Sequence, residues 1–291
     1  MLVNAGTTVD GAARLTSEQF RKSLGRDTVV FPRLGAGGRL ALAELRRAAP
    51  DGRNVIFSPS SPLTIYPNIY KRLDYNPDAD FTPISGVALF DVAIACGVQS
   101  DIKTLPELIE WARKQPTGLT FGCAPGNGSS SHFLGIATAL ATKLTSSMVP
   151  YKDTTAGLSD LISGRVPVFI TGTGAMSEMH KAGKLRVLAT SGSRRSTLVA
   201  NIPTFQESGI NVTIENATIL LGPARLPKEA VDRMHAAVLE LWKDPDARAK
   251  MALMGMDAWP VDAGHLAQWL IQERQRYAAL AKGAGYVPED A

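Results

Sequence analysis

The chain has 291 residues, 45% hydrophobic and 20% charged, which points to a folded globular protein of about two domains and excludes a disordered or fibrous one. The net charge of +4 comes from 31 basic and 27 acidic side chains, and the densest basic runs are pairs such as Arg46-Arg47 and Arg194-Arg195 without interleaved aromatics, so no nucleic acid is expected as a partner. No apolar run approaches the roughly 18 residues of a membrane helix, and two cysteines and four histidines (His132, His180, His235, His265) with no zinc, CxxC or HxxxH spacing argue for no metal and no cofactor.

The chain opens "MLVNAGTTVD", which lacks the charged start and long apolar run of a secretory leader, leaving a cytosolic protein or the mature part of an exported one. "TVVFPRL" (28–34) reads as a strand and 37–49 as a helix with Leu40, Ala41, Leu45 and Ala48 inward. "Pro50-Asp51-Gly52" is a turn, 54–58 a strand and 87–96 a longer strand. Asp78 and Asp80 flank a turn and are expected to face water. A helix follows at 105–114, opened by Thr104 as its cap with Pro106 and Glu107 in the first turn. Strands at 119–122, 147–151, 166–171 and 185–190 then alternate with helices at 130–144, 155–162 and 175–182. Such alternation predicts a parallel or mixed sheet with helices on its faces, an α/β fold. After 219–227 the pattern turns helical, through 228–243, 245–254 and 263–282. Helices without strands of their own have to pack on a sheet made earlier, so the C-terminal third is expected to return to the first domain. That gives lobe 1 from 1–98 and 222–291 and lobe 2 from 99–221, with crossovers acting as hinges near Cys96 to Ser100 and Leu220 to Pro223.

Four glycine- and hydroxyl-rich loops each stand after a strand and before a helix: 4–10, 124–132, 152–157 and 171–177. A helix start leaves about four N–H groups without partners and carries partial positive charge, so such loops suit a carboxylate or phosphate. Ordinary capping explains any one of them, but four at the same end of their strands point to ligand binding, because open α/β sheets bind beyond the carboxyl ends of their strands. Enzyme signatures are missing: no complete GxGxxG, no GxxxxGK[ST], no GxSxG and no SxxK. His132 follows Ser131 directly and reads as a residue bracing or lining the loop rather than a general base.

The stretches "GAGGRLALAELRRAAPDGRNVIFS", "IYPNIYKRLDYNPDADFTPIS", "TFGCAPGNGSSSHF", "VPYKDTTAGLSDLISGRV" and "NIPTFQESG" resemble, in order and over nearly the whole chain, the Bug family, the extracytoplasmic solute receptors of tripartite tricarboxylate transporters. The resemblance implies a two-lobed type II periplasmic-binding-protein fold with a ligand cleft between the lobes, closing on a small organic anion. It implies a periplasmic receptor, not an enzyme, that acts as a monomer and hands a small carboxylate to the membrane components of a tripartite transporter. A small α/β enzyme with the same anion-binding loops, or a non-transport solute sensor, are the alternatives. The family's ligand loops match Ala5, Gly6, Thr7, Thr8 and Asp10, and Gly126, Asn127, Gly128, Ser129, Ser130 and His132, with Ser60, Ser61, Thr154, Thr155 and Thr171 in support. Departures are the threonines at Thr7 and Thr8, Pro167 and Thr171 where acidic residues are common, and Asn216-Ala217 where an aromatic is often found. The last suggests a roomier or more polar pocket. Cys96 and Cys123 are expected to be two separate buried thiols, although an export compartment would permit a bridge. Met1 stands inside or just before the first strand, and the native N-terminus is either Met1 or a position upstream that a late start choice has cut away together with any signal peptide.

Overall fold

The computed structural model describes residues 2–3, 8–33 and 35–290. In chain order it contains β1 (Leu2–Val3), α1 (Thr8–Leu24), β2 (Phe31–Pro32), α2 (Arg39–Arg46), β3 (Ile56–Pro59), the short α3 (Ser61–Thr64) and α4 (Tyr66–Ile69), and β4 (Phe81–Gly97). There follow α5 (Leu105–Arg113), β5 (Leu119–Cys123), α6 (Ser130–Thr142), β6 (Ser146–Pro150), α7 (Thr154–Ile162), β7 (Val168–Gly172), α8 (Thr173–Lys181), β8 (Leu185–Thr190) and β9 (Glu215–Pro223). The last elements are α9 (Lys228–Lys243), α10 (Pro245–Leu253), β10 (Asp257–Ala258) and α11 (Ala263–Gly283). None of the helices among the described residues is long and apolar enough to cross a membrane.

The chain forms two compact units, the first from Met1–Leu89, Asn216–Ala278 and Val287–Ala291, the second from Phe90–Glu215 and Ala279–Tyr286. The divisions fall inside β4 and β9, against the expected 98 and 221; β4 serves both units, Ala88 and Leu89 pairing with β10 while Val92 to Cys96 pair with β7. Residues 216–278 and 287–291 belong to the first unit and residues 279–286 to the second.

In the first unit the strand order is β2-β1-β3-β9-β4, with β10 pairing to β4. β1 runs parallel to β2 and β3, and β3 is antiparallel to β9, from Ile56↔Leu221 to Pro59↔Thr218. One core cluster joins Leu42 and Leu45 of α2, Ile56, Ile219, Leu221, and Leu266 and Leu270 of α11. Gly37 and Gly38 take positive φ (63° and 92°), so α2 starts only at Arg39. Its buried positions are Ala41, Leu42 and Leu45, whereas Leu40, expected inward, is 58% exposed. The strand expected at 28–34 shrinks to β2, at the sheet edge beside β1. Asp78 does not simply face water: Arg274 grips it with two hydrogen bonds of 2.6 and 2.7 Å, which hold its carboxyl below the usual range.

In the second unit β4 is antiparallel to both β7 and β8, and β5 lies parallel between β7 and β6. β5, β6, β7 and β8 therefore run the same way, and α6, α7 and α8, each following one of them, start at one end of the sheet. Every residue of α6 from Ser130 to Ala139 is buried, its polar Ser130, Ser131, His132 and Thr138 included, the pattern of a helix enclosed by its surroundings. Phe169, Val187, Leu158, Leu161 and Met176 share a second core cluster with Ala93 and Ala95. Cys96 and Cys123 are free and buried; burial pushes the Cys123 thiol up to about 12, so it is inert at neutral pH.

Candidate functional site

In the second unit β5 ends at Cys123 and the chain passes through 124–129 into α6. Ser129 caps that helix: its hydroxyl accepts from the His132 N–H (3.1 Å) and donates to the Pro125 carbonyl (2.6 Å). Gly128, at φ 73°, needs the left-handed backbone that glycine adopts without strain. Its N–H donates to His132 Nδ1 at 3.4 Å, which places the ring proton on Nε2. His132 is buried, and its ring accepts from the loop it follows. Its ring lies 6.0 Å from that of Tyr286, edge to face. Nothing in the sequence pointed to Tyr286, which arrives from the far end of the chain.

Within this loop the N–H groups of Gly128 and Ser129 are already used, the latter on the Gly126 carbonyl (3.3 Å). The helix-start N–H groups that remain for a ligand are those of Ser130 and Ser131. Gly126 is half-buried and Asn127 exposed at the loop's turn. Ser130 is buried, and its hydroxyl makes no hydrogen bond among the described residues.

Neighbouring hydroxyls gather on one carbonyl. The Ala124 oxygen accepts from Thr171 (3.0 Å) and Ser131 (3.4 Å), and Thr154 Oγ1 lies 3.4 Å from Thr171 Oγ1. The starts of α6 and α7 and the end of β7 are thereby tied together. Their electrostatics differ. α7 is capped by the Asp153 carboxylate, which accepts from the Ala156 N–H at 2.9 Å. A full negative charge outweighs the roughly half charge of a helix start, so α7 is the poorest of the three for an anion. Thr154 is half-buried there and Thr155 is exposed. α6 has a neutral serine cap, and α8 begins at Gly172 with no side-chain cap and open space where a Cβ would stand.

In the first unit, Ala5, Gly6 and Thr7 lie outside the described residues, and Thr8 opens α1. Asp10 in the first turn is buried, and its carboxylate meets the Arg14 guanidinium at 3.1 Å. Ser60 stands at the start of α3, its N–H on the Ala217 carbonyl (2.9 Å) and its hydroxyl accepting from the Ala217 N–H (3.3 Å). Ser61, half-buried, is the first residue of that helix. Ser60 therefore acts as a brace between β3 and β9. Among the described residues no group of three or more His, Cys, Asp or Glu side chains is placed to hold a metal ion.

The family profile described as tripartite tricarboxylate transporter family receptor matches residues 12–286. A UPF0065 protein of Bordetella bronchiseptica is 30% identical over 286 residues, covering 98% of this chain and 84% of its own. BugT of Bordetella pertussis is 30% identical over 205 residues, 70% of this chain and 63% of its own. Among solved structures, the periplasmic binding protein BugD is similar at 26% identity and TM-score 0.83, with 99% of each chain covered. MatC of Rhodopseudomonas palustris, solved with bound malate, is similar at 26% identity and TM-score 0.81, covering 96% of this chain and 97% of its own. Rpa4515 of R. palustris, solved with adipate, has the same fold at 24% identity and TM-score 0.88, covering 99% and 97%. The architecture is the two-lobed α/β fold of periplasmic solute-binding proteins.

Proposed function

Because the chain belongs to the tripartite tricarboxylate transporter receptor family, we propose that it is a periplasmic receptor that captures a small carboxylate and delivers it to the membrane components of such a transporter. The observation that carries this reading is the end of the second unit's sheet. There, a neutral-capped helix start with the Ser130 and Ser131 N–H groups and the Ser130 hydroxyl stands beside an uncapped one at Gly172, while Ser131, Thr154 and Thr171 spend their hydroxyl protons on holding the loops together. An anion held by neutral donors stays exchangeable, as a transport receptor requires. Micromolar affinity needs about −8 kcal/mol. Hydrogen bonds to a charged group contribute about 1.5–3 kcal/mol each before association costs, so four or five donors suffice without a buried arginine. Malate and adipate in the related structures fit the same chemistry.

In this reading the first unit supplies the loop before α1 and the Ser60-Ser61 corner, and the two units close on the solute through the strands that join them. Closure is favoured only while the solute contributes contacts that the open state lacks. The closed form is what the membrane partner recognises, and the receptor works as a monomer. Calorimetric titration with mono- and dicarboxylates, malate and adipate first, tests the reading, with small-angle scattering at saturation. Saturable binding, an unconsumed solute and a smaller radius of gyration are expected. Steady turnover would replace the receptor with an enzyme, and an unchanged radius at saturation would remove the hinge.

A further inference from the structure

β9 enters the first unit at Asn216. The register Pro59↔Thr218, continued by both Ser60–Ala217 hydrogen bonds, sets Asn216 just beyond the carboxyl end of β3. β1 runs parallel to β3, so this is also the end at which α1 and α3 begin. In an open α/β sheet that is the ligand end. Ala217 points into the α2–α11 core cluster, and strand alternation turns Asn216 to the opposite face.

The polar side chains around it are matched. Ser58 donates to the Pro59 carbonyl (2.8 Å), Ser60 accepts from Ala217, and Thr218 donates to the Ala88 carbonyl (3.4 Å). Asn216 is only 2% exposed, yet its Nδ2 has no hydrogen-bond partner among the described residues. The Thr190 and Thr213 hydroxyls and the Nε of Arg274 and Arg276 are likewise unmatched, but a hydroxyl can rotate its proton and the two guanidinium groups keep other N–H bonds, to Asp78 and Glu273. A planar carboxamide has two fixed N–H vectors and no such escape. Folded proteins rarely leave a buried donor of this kind idle, and an unmatched one calls for a reason such as a ligand.

We infer that the Asn216 side-chain amide is a specificity-determining contact that donates to an oxygen of the solute, selecting a carboxylate, hydroxyl or carbonyl oxygen over an ammonium at the first unit's end of the seat. This rests on the receptor reading above and adds a residue of β9 to it. A leucine at this place keeps the volume and removes the donor, an alanine removes it without adding bulk, and an aspartate replaces it with a negative charge.

Wild type, Asn216→Leu, Asn216→Ala and Asn216→Asp are titrated calorimetrically with succinate, malate and adipate. The expected result is that wild type binds at least one probe and that Asn216→Leu binds it at least tenfold more weakly. Asn216→Asp is expected to be weaker still, because its charge meets the carboxylate. Should leucine not fit, Asn216→Ala carries the same comparison. Unchanged affinity in a folded leucine or alanine variant overturns the inference and leaves the receptor reading standing. Tighter binding to Asn216→Asp overturns it too, since the group would then face a cation or a shared proton. If wild type binds none of the probes while remaining folded, the carboxylate reading falls and this inference falls with it.

Discussion

Replacing Gly135 with alanine sets two effects of opposite sign against each other. Gly135 lies inside α6, where alanine is favoured over glycine by about 1 kcal/mol through backbone entropy. A Cβ there would stand 2.0 Å from Phe121 Cζ and 2.4 and 2.5 Å from two more atoms of the same ring. Ordinary carbon contacts are about 3.5–4 Å, so helix and ring must part by more than an ångström. Phe121 is fully enclosed in β5 and has nowhere to swing. Overpacking of this kind costs about 1–3 kcal/mol, occasionally more, and the severity of the clash places it at the upper end. The steric effect therefore wins, with a net loss of about 1–2 kcal/mol and a fall in Tm of about 2–4 °C per kcal/mol. Differential scanning calorimetry of Gly135→Ala reads this directly. Phe121→Leu in the same chain should recover part of the loss, a coupling that independent sites would not show. A variant whose Tm equals or exceeds that of wild type would refute the reasoning, because propensity would then have outweighed the packing of α6 on β5.

Ser129→Ala and Ser130→Ala, adjacent in sequence, should separate stability from binding. The first removes the α6 cap and the bond to Pro125 and should cost about 1–3 kcal/mol in urea unfolding. The second touches no hydrogen bond among the described residues, should stay within about 0.5 kcal/mol, and should weaken carboxylate binding; equal destabilisation by both would contradict the hydrogen-bond assignment. Asp78 is held below the usual carboxyl range, first by the hydrogen bonds from Arg274. Its contribution is therefore complete above the unfolded value of about 3.9 and is lost as pH falls toward the lower folded value. The pair is partly exposed, so Asp78→Asn should cost only about 0.2–1 kcal/mol at pH 7. The difference from wild type should vanish in unfolding curves at strongly acid pH, and one that persisted there would show that packing, not charge, is at work.

Much of the fold was legible because its signals are local. Thr104 caps α5 by accepting from the Glu107 N–H, and Glu107 reaches back to the Lys103 N–H. Such bonds close within four residues, so residue type and spacing suffice to foresee them. The same holds for the start of α6 at Ser129 and for the alternation of β5 to β8 with their helices. Signals that conflicted locally were misread. Residues 81–86 carry Pro83 and Gly86, which speak against a strand, yet β4 begins at Phe81. Gly86 is required there because a Cβ would stand 2.5 Å from the Trp259 ring, which the chain brings back from far downstream. Conversely, 28–34 reads as a strand, but Val29 and Phe31 stay more than half exposed.

The sequence by itself determined the α/β class, the family, and the glycine- and hydroxyl-rich loops that stand before helices, since all of these rest on spacing along the chain. Only the tertiary structure decided how those groups are used. It turned the Gly128 and Ser129 N–H groups inward, tied Asp10 to Arg14, set Asp153 as a negative cap on α7, and left the Asn216 amide unmatched among the described residues at a strand end. The physical reason is that a hydrogen bond is allotted by distance in space. A donor's availability depends on every acceptor the fold brings near it, and sheet register and helix packing fix those acceptors over separations that no local pattern encodes.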